Sequence, residues 1–334
     1  MPRAIESSNG QKNATVRFGF YGRDPATNEP SIGTVKQLIP DGDTLNVSFL
    51  PGDNVGVRFL GVDTPEKTLP VPGGDPKDFV SLTDDAWVDF LDNPFSSGSP
   101  FTQLLTNYIL GKVAGGGAAQ NHQRHGDRAE EALQGFVTAD VNEYLQAGRI
   151  QDQKDFRFFM RFAFEVINGF GRFLCFANRD QPNRDMPSAR PLDYNTRMIQ
   201  SGLAAPYFIW PNINPFRAQG SIMGAIFAPG AANDVAESDA KLREARQMVR
   251  QARQAGIGIY NSADPLRLEA FEVRFLSRQR PPDRWVIDLS KQDDILVHPQ
   301  NYHTIPNAED RLFINPEHVP LFTGAGWVRQ QAPL

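Results

Sequence analysis

Hydrophobic and polar positions alternate in short runs between residues 14 and 62. ATVRFGF (14–20) carries the period of two expected of a half-buried strand, and GTVKQLI (33–39), TLNVSFL (44–50) and NVGVRFLGV (54–62) are short β-rich runs. The clusters 24–30, Pro40-Asp41-Gly42-Asp43 and Pro51-Gly52-Asp53-Asn54 separate them, and such groups of Pro, Gly and Asp predict turns. The pattern is that of a meander of small antiparallel strands.

The period changes in the stretch 67–125. It opens on Pro70, Pro72, Gly73, Gly74 and Pro76, and TDDAWVDFL (83–91) and PFTQLLTNYIL (100–110) predict two short helices. Gly115-Gly116-Gly117 and NHQRHG (121–126) predict a loop. A helix is expected over 127–146, with Ala129, Ala132, Leu133 and Phe136 at helical spacing. Phenylalanine then recurs at 156, 158, 159, 162, 164, 170, 173 and 176, in two strand-like runs joined at Asn168-Gly169, a strong hairpin signal. Helices are expected at 195–201, ended by Gly202, and at 239–255. The latter has Ser238 as N-cap, Leu242, Ala245, Val249 and Ala252 on one face, and Gly256 as its stop. Beyond 264, FEVRF (271–275) and WVIDL (285–289) alternate around Pro281-Pro282 and predict strands.

Composition narrows the class. A chain of 334 residues has room for about two domains, and 40% hydrophobic with 22% charged residues excludes wholesale disorder. The net charge of −5 excludes a generally basic protein that coats nucleic acid, so any such contact must come from a local basic patch. The single cysteine, Cys175, forms no internal disulfide and alternates with Phe173 as a core position. Residues 1–20 lack the apolar core of a signal peptide, and the longest uncharged stretches, 201–216 and 218–233, are broken by prolines and glycines. A cytoplasmic protein without a membrane-spanning segment is expected.

Three motifs carry candidate chemistry. Asp41-Gly42-Asp43-Thr44 occupies a turn between strands, where Asp and Gly are ordinary. Arg58-Phe59-Leu60-Gly61-Val62-Asp63-Thr64-Pro65-Glu66 runs from a strand into a loop. Val57, Phe59 and Gly61 share one strand phase there, which puts Arg58 on the opposite face. Asp43, Asp63 and a loop carbonyl are hard oxygen ligands that suit Ca²⁺ rather than zinc. In Asn168-Gly169-Phe170-Gly171-Arg172, an arginine opens a strand after a tight turn, a place where solvent-facing arginines are also common.

DGDT at 41–44, RFLGVDTPE at 58–66, FGR at 170–172, the helix and Gly-Leu-Ala run of 195–204, and the helix of 239–255 followed by Gly-Ile-Gly-Ile-Tyr occur in that order. Together they resemble the staphylococcal-nuclease-like (thermonuclease) family over 31–66 and 125–262. The resemblance implies a β-rich α+β fold: an OB-like five-stranded β-barrel with packed helices, here with a helical insertion and an extra β-rich C-terminal region. It divides the chain into an N-terminal extension with one strand (1–30), the barrel domain (31–262, insertion 67–125) and a C-terminal domain (264–334).

The activity so implied is Ca²⁺-dependent hydrolysis of DNA and/or RNA to 3′-phosphorylated products. By resemblance, Asp43 and Asp63 are metal-binding carboxylates, Thr64 offers its backbone carbonyl, and Asp41 lies behind them in the acidic cluster. Glu66 matches the general base, and Arg58 and Arg172 match the pair that grips the scissile phosphate. The chemistry is coherent, because guanidinium forks bind phosphate bidentately and offset the charge that builds in the transition state. Phe170 departs from the family's frequent tyrosine. Tyr207, in YFIWPN (207–212), is the candidate to stack on substrate, with packing on the barrel as the other reading.

The insertion comes directly after Glu66, which makes it a candidate lid, specificity element or partner surface. His122 and His125 lack a third metal ligand and are expected in a polar linker. Lys241, Arg243, Arg246, Arg250 and Arg253 against Glu244 predict a solvated basic face. The alternative to an enzyme is a catalytically silent OB-type barrel that binds nucleic acid or acts as a scaffold. A degenerate scaffold is expected to have lost one of Asp43, Asp63, Glu66, Arg58 or Arg172, and this sequence keeps all five.

Overall fold

A computed structural model of the chain describes all residues except 1–5, 9–10, 24, 50–53, 97, 182–187 and 332–334. Parts of the predicted turns at 24–30 and 51–54 therefore lie outside the described residues. The strands of the two larger sheets are, in chain order, β1 (Glu6–Ser8), β2 (Gln11–Phe18), β3 (Thr44–Ser48), β4 (Val55–Phe59), β5 (Gly61–Asp63), β6 (Arg157–Ile167), β7 (Phe173–Arg179), β8 (Ala205–Trp210), β9 (Trp285–Asp288) and β10 (Arg311–Ile314). Six helices matter to the site: α1 (Asp85–Asp92), α2 (Gln103–Val113), α3 (Ala118–Gln146), α4 (Tyr194–Gln200), α5 (Ala240–Ala255) and α6 (Ala270–Arg278).

The chain forms two compact units, one of residues 1–60 and 128–198, the other of 61–127 and 199–334. Residues 264–334, read from the sequence as a domain of their own, fall in the second unit, and 1–30 fall in the first.

The first unit is a closed five-stranded β-barrel of the OB-like kind. Its strands pair in the order β2–β6–β7–β4–β3, and β3 returns to β2 to close the ring. All pairs are antiparallel except β7 with β4, which run parallel in the register Phe173–Val57, Leu174–Arg58 and Cys175–Phe59. The predicted alternation explains the closure, because one face of each strand supplies the interior: Val16, Phe18, Leu45, Val47, Val57, Phe59, Phe158, Met160, Phe162 and Cys175 are all buried. β2 lies in the stretch read as an N-terminal extension, yet it is a barrel strand paired with β6 and β3, and β1 adds to it as well. Asn195 at the start of α4 ties two strands down. Its Nδ2 donates to the carbonyls of Leu60 (2.9 Å) and Cys175 (3.1 Å), and its Oδ1 accepts the Ala177 N–H (3.1 Å).

The second unit is built on the four-stranded sheet β9–β10–β8–β5. Trp87, Leu105, Ile109, Phe271, Phe275, Tyr302 and Phe313 belong to its apolar core. The two short helices expected in the insertion form as α1 and α2, capped by Asp84 and Thr102.

Several local expectations are corrected. GTVKQLI is a single helical turn, Val35–Leu38, because Thr34 and Gln37 close a capping box over it. FEVRF lies in α6, whose residues 270–273, 275 and 276 are buried on several sides and so show no helical stripe. NHQRHG lies within α3, near its N-terminal end, and is not a loop. The α5 helix is capped by the Asp239 carboxylate on the Leu242 N–H (2.8 Å) rather than by Ser238, and it ends at Gly256 as predicted. No helix among the described residues is long and apolar enough to cross a membrane.

Candidate functional site

The 41–44 turn presents the first acidic group. Asp41 Oδ1 accepts the Asp43 N–H (3.2 Å), and the Asp43 carbonyl accepts the Phe59 N–H (2.9 Å), which locks the turn onto β4. The Asp43 side chain is completely buried, takes the Thr44 hydroxyl (3.4 Å) and forms an ion pair with Arg58 Nη1. Thr44 stands opposite Arg58 in the ladder, so the pairing results from register. A buried carboxylate needs such a partner.

Arg172 enters the same face from the next strand. The turn before it starts at Asn168, whose carbonyl accepts the Gly171 N–H (2.9 Å) and whose Oδ1 accepts the N–H groups of Phe170 and Arg172 (both 3.0 Å). Gly171, not Gly169, takes the left-handed conformation (φ 76°). The hairpin thus turns over three residues between Asn168 and Arg172, not over a two-residue Asn-Gly. A methyl group on Gly56 would stand 3.1 Å from Arg172 Cγ, so the arginine stem crosses over Gly56 on β4. Arg58 lies two residues along that strand on the same face. The Arg172 guanidinium sits 5.6 Å from the Phe170 ring, which is 79% exposed.

The second unit holds the other acidic residues. Gly61 has φ 77° and ends the phase that runs through Val57 and Phe59, so β4 and β5 are separate strands. Asp63 faces Ala205 of β8 in the ladder. Asp63 and Thr64 are each 2% exposed. The loop beyond them packs on α3: a methyl group on Gly126 would stand 2.9 Å from the Pro65 carbonyl oxygen. His122 Nε2 accepts the Glu66 N–H (2.9 Å), and its Nδ1 lies 3.1 Å from the Leu268 carbonyl, which makes Nδ1 the protonated nitrogen. Burial lowers the His122 pKa to about 3 against the opposing pull of the Leu268 carbonyl and Asp63, so the ring is neutral. His125 is equally buried, with Nε2 2.9 Å from the Asp264 carbonyl. The two histidines are helix-core residues that hold loops, not a polar linker.

Both carboxylates of this unit meet one arginine. Arg274 Nη1 donates to Asp63 Oδ1 (2.9 Å) and Glu66 Oε1 (2.6 Å), and Nη2 donates to Asp63 Oδ2 (2.7 Å). Burial works against the guanidinium charge, but Asp63 and Glu66 hold its pKa well above the ordinary arginine value. The resemblance assigns these carboxylates to Ca²⁺ and to a general base. Here both Asp63 oxygens point at a guanidinium fork, so the arrangement does not fit a divalent cation at that position.

Tyr207 is 9% exposed and packs in the second unit's aromatic core. Its ring stacks on Phe271 (centroids 5.6 Å apart, 13° between planes) and its hydroxyl accepts from Arg284 Nη1. The basic run of α5 is solvated in part: Lys241 and Arg243 are exposed, whereas Arg246 is buried between Glu237 (2.6 Å) and Asp310 (2.8 Å), and Arg253 pairs with Glu309 (2.6 Å).

The structure therefore gathers Asp41, Asp43, Arg58, Phe170 and Arg172 in the barrel unit, and Asp63, Thr64, Glu66 and Tyr207 in the other. Sequence reasoning missed Arg274, His122 as a loop anchor, and Arg284. The capping pair Glu269 and Glu272 was the one local signal that residue 274 sits on a helix. No protein-family model matches the chain, and no curated protein matches it.

Proposed function

We propose that this protein acts on the phosphodiester backbone of DNA and/or RNA as a nuclease giving 3′-phosphorylated products, with Arg58 and Arg172 as its phosphate contacts. The observation that supports the reading is the placement of Arg58 on β4 and of Arg172, the residue before β7, on one face of the barrel, with Arg58 also paired to the buried Asp43 carboxylate. Leu174 is in register with Arg58, and Arg172 crosses over Gly56. Two permanently charged forks on one face suit a polyanion such as a phosphodiester backbone. Glu66 is the candidate base by resemblance. Calcium enters this reading only through the resemblance, since Asp63 and Glu66 are both engaged by Arg274.

That engagement favours a second reading, a barrel that binds nucleic acid without cutting it. One experiment separates the two. Labelled single-stranded DNA and RNA are incubated with the full chain, with Glu66→Gln and with Arg172→Ala, each in Ca²⁺ and in chelator, and both retention and cleavage are scored. The nuclease reading expects cutting that Glu66→Gln abolishes and Arg172→Ala lowers by about 10²-fold, the scale of one lost transition-state contact. Binding without cutting, weakened by Arg172→Ala, establishes the second reading. Neither binding nor cutting sinks both.

A further inference from the structure

We propose that Arg274 is the resident cation of the Asp63–Glu66 pair: the folded chain takes up no divalent cation there, and a neutral residue at 274 opens a cation site. The inference rests on the reading of Asp63 and Glu66 as cation-site carboxylates, and it names what occupies that site.

Three observations carry it. The guanidinium satisfies both oxygens of Asp63 and one of Glu66 at 2.6 to 2.9 Å, the fork geometry in which arginine binds carboxylates most strongly. Its carrier is fixed. In α6, Val273 and Leu276 are buried on either side of Arg274, and the buried Glu272 carboxylate takes the Lys112 ammonium (2.7 and 2.6 Å) and the Tyr302 hydroxyl (2.5 Å). Ser277 Oγ donates to the Pro70 carbonyl (2.6 Å) one turn further on. Arg274 also lies outside the stretches 31–66 and 125–262 that resemble the nuclease family, so its place is a property of this chain's C-terminal region.

The physical consequence is competition. Asp63 and Glu66 bring two negative charges, and Arg274 offsets one of them permanently, because a guanidinium does not lose its proton in proteins. A divalent cation would have to approach a like charge and compete for the same carboxylate oxygens. Lysine or histidine at 274 could titrate off, but arginine leaves only by moving its side chain. Replacing it with glutamine, a shorter neutral side chain, removes the charge and frees the carboxylate oxygens that Nη1 and Nη2 hold.

The test uses the full chain stripped of metal, titrated with CaCl₂ alone in a calorimeter, with melting temperatures recorded in chelator and in Ca²⁺. The proteins are wild type, Asp63→Asn, Arg274→Gln, Arg274→Lys and Arg274→Gln/Asp63→Asn. Wild type and Asp63→Asn should give the same response to Ca²⁺. Arg274→Gln should bind Ca²⁺ at least tenfold more tightly than wild type and melt higher in Ca²⁺ than in chelator, and the added Asp63→Asn change should abolish both gains. Arg274→Lys should gain less than Arg274→Gln, since it keeps a cation. Calcium binding by wild type that Asp63→Asn removes overturns the proposal. A folded Arg274→Gln that gains no Ca²⁺ affinity overturns it too. If Arg274→Gln does not fold, the wild-type and Asp63→Asn comparison still decides. Oligonucleotide binding by wild type and Arg172→Ala, run in parallel, tests the nucleic-acid reading separately. A chain that binds no oligonucleotide yet gains Ca²⁺ on Arg274→Gln loses that reading and keeps this one.

Discussion

His122 accepts the backbone N–H of Glu66 through Nε2 at 2.9 Å, and so an imidazole in the core of α3 fixes the position of the loop that carries the candidate base. The bond requires a neutral ring. Burial depresses the His122 pKa to about 3, with His125 and Arg274 adding to the effect and the Leu268 carbonyl and Asp63 opposing it. An unfolded histidine titrates near 6.5. Between those values the unfolded chain binds a proton that the folded chain refuses, so stability falls as pH drops from about 6.5 toward 3. From pH 7 to pH 5 wild type should lose about 2 kcal/mol that a folded His122→Gln variant does not lose, even if the variant is weaker at pH 7. Urea unfolding at the two pH values measures the difference. Equal losses in both proteins would mean that His122 is accessible to protons in the folded state.

Tyr207 accepts from Arg284 Nη1, stacks on Phe271 and is 9% exposed as a residue, so it has little surface left for a base. Tyr207→Phe keeps the ring and removes the acceptor. It should cost about 1 to 2 kcal/mol, since a guanidinium loses a partner in a partly buried place. Tyr207→Leu removes the ring as well, and its oligonucleotide affinity should stay within about threefold of wild type, whereas loss of a stacking platform would cost about 1–3 kcal/mol per base. Titration of labelled single strands checks this, and a tenfold loss of affinity would restore Tyr207 as a substrate contact.

The barrel's individual strands were legible because their pattern is local, but the ring they close, in which β2 pairs with β6 and β7 runs parallel to β4, entered only through the resemblance. Val16 and Phe18, Val57 and Phe59, and Phe158, Met160 and Phe162 alternate with outward residues, and the period alone gives their inner faces. α6 was misread for the opposite reason. Phe271, Val273 and Phe275 mimic alternation, because the helix is buried around most of its surface and no polar stripe marks its outer side. His122 looked like a linker residue, since burial depends on contacts with Glu66 and Leu268 that are distant in sequence. The same holds for Arg274, which lies more than two hundred residues from Asp63 and Glu66. No window along the chain contains both sides of that ion pair. The motifs show which residue types are present, but which charges cancel depends on tertiary structure.

Gly56 is the surface over which the Arg172 stem runs. A methyl group there would approach Arg172 Cγ at 3.1 Å, close enough that the neighbour must give way. Gly56→Val should raise strand propensity and leave the barrel folded, while turning the Arg172 guanidinium away from the face it shares with Arg58. Affinity for single-stranded DNA should drop about as far as in Arg172→Ala, and the two changes combined should cost little more than either alone. Additive losses in that double-mutant cycle would show that Gly56 acts independently of Arg172.

Two glycines of α3 make a paired test of the contact between this helix and the loop after Asp63. Both lie inside the helix, where Gly→Ala ordinarily stabilises by about 0.5–1 kcal/mol through backbone entropy. At Gly135 an added methyl meets nothing within 4 Å, so Gly135→Ala should give that gain. At Gly126 the methyl would stand 2.9 Å from the Pro65 carbonyl oxygen and 3.0 Å from Lys67 Cγ. The lysine stem can swing aside, but the carbonyl belongs to the backbone between Asp63 and Glu66, which must shift for the methyl to fit. Overpacking of this kind costs about 1–3 kcal/mol, more than the helix gains, so Gly126→Ala should destabilise. It should also loosen the bond from the Glu66 N–H to His122, which lies one turn earlier on the same helix. Chemical denaturation of the two variants gives the signs directly: opposite signs are expected, and a stabilised Gly126→Ala would mean that the loop does not rest on the helix.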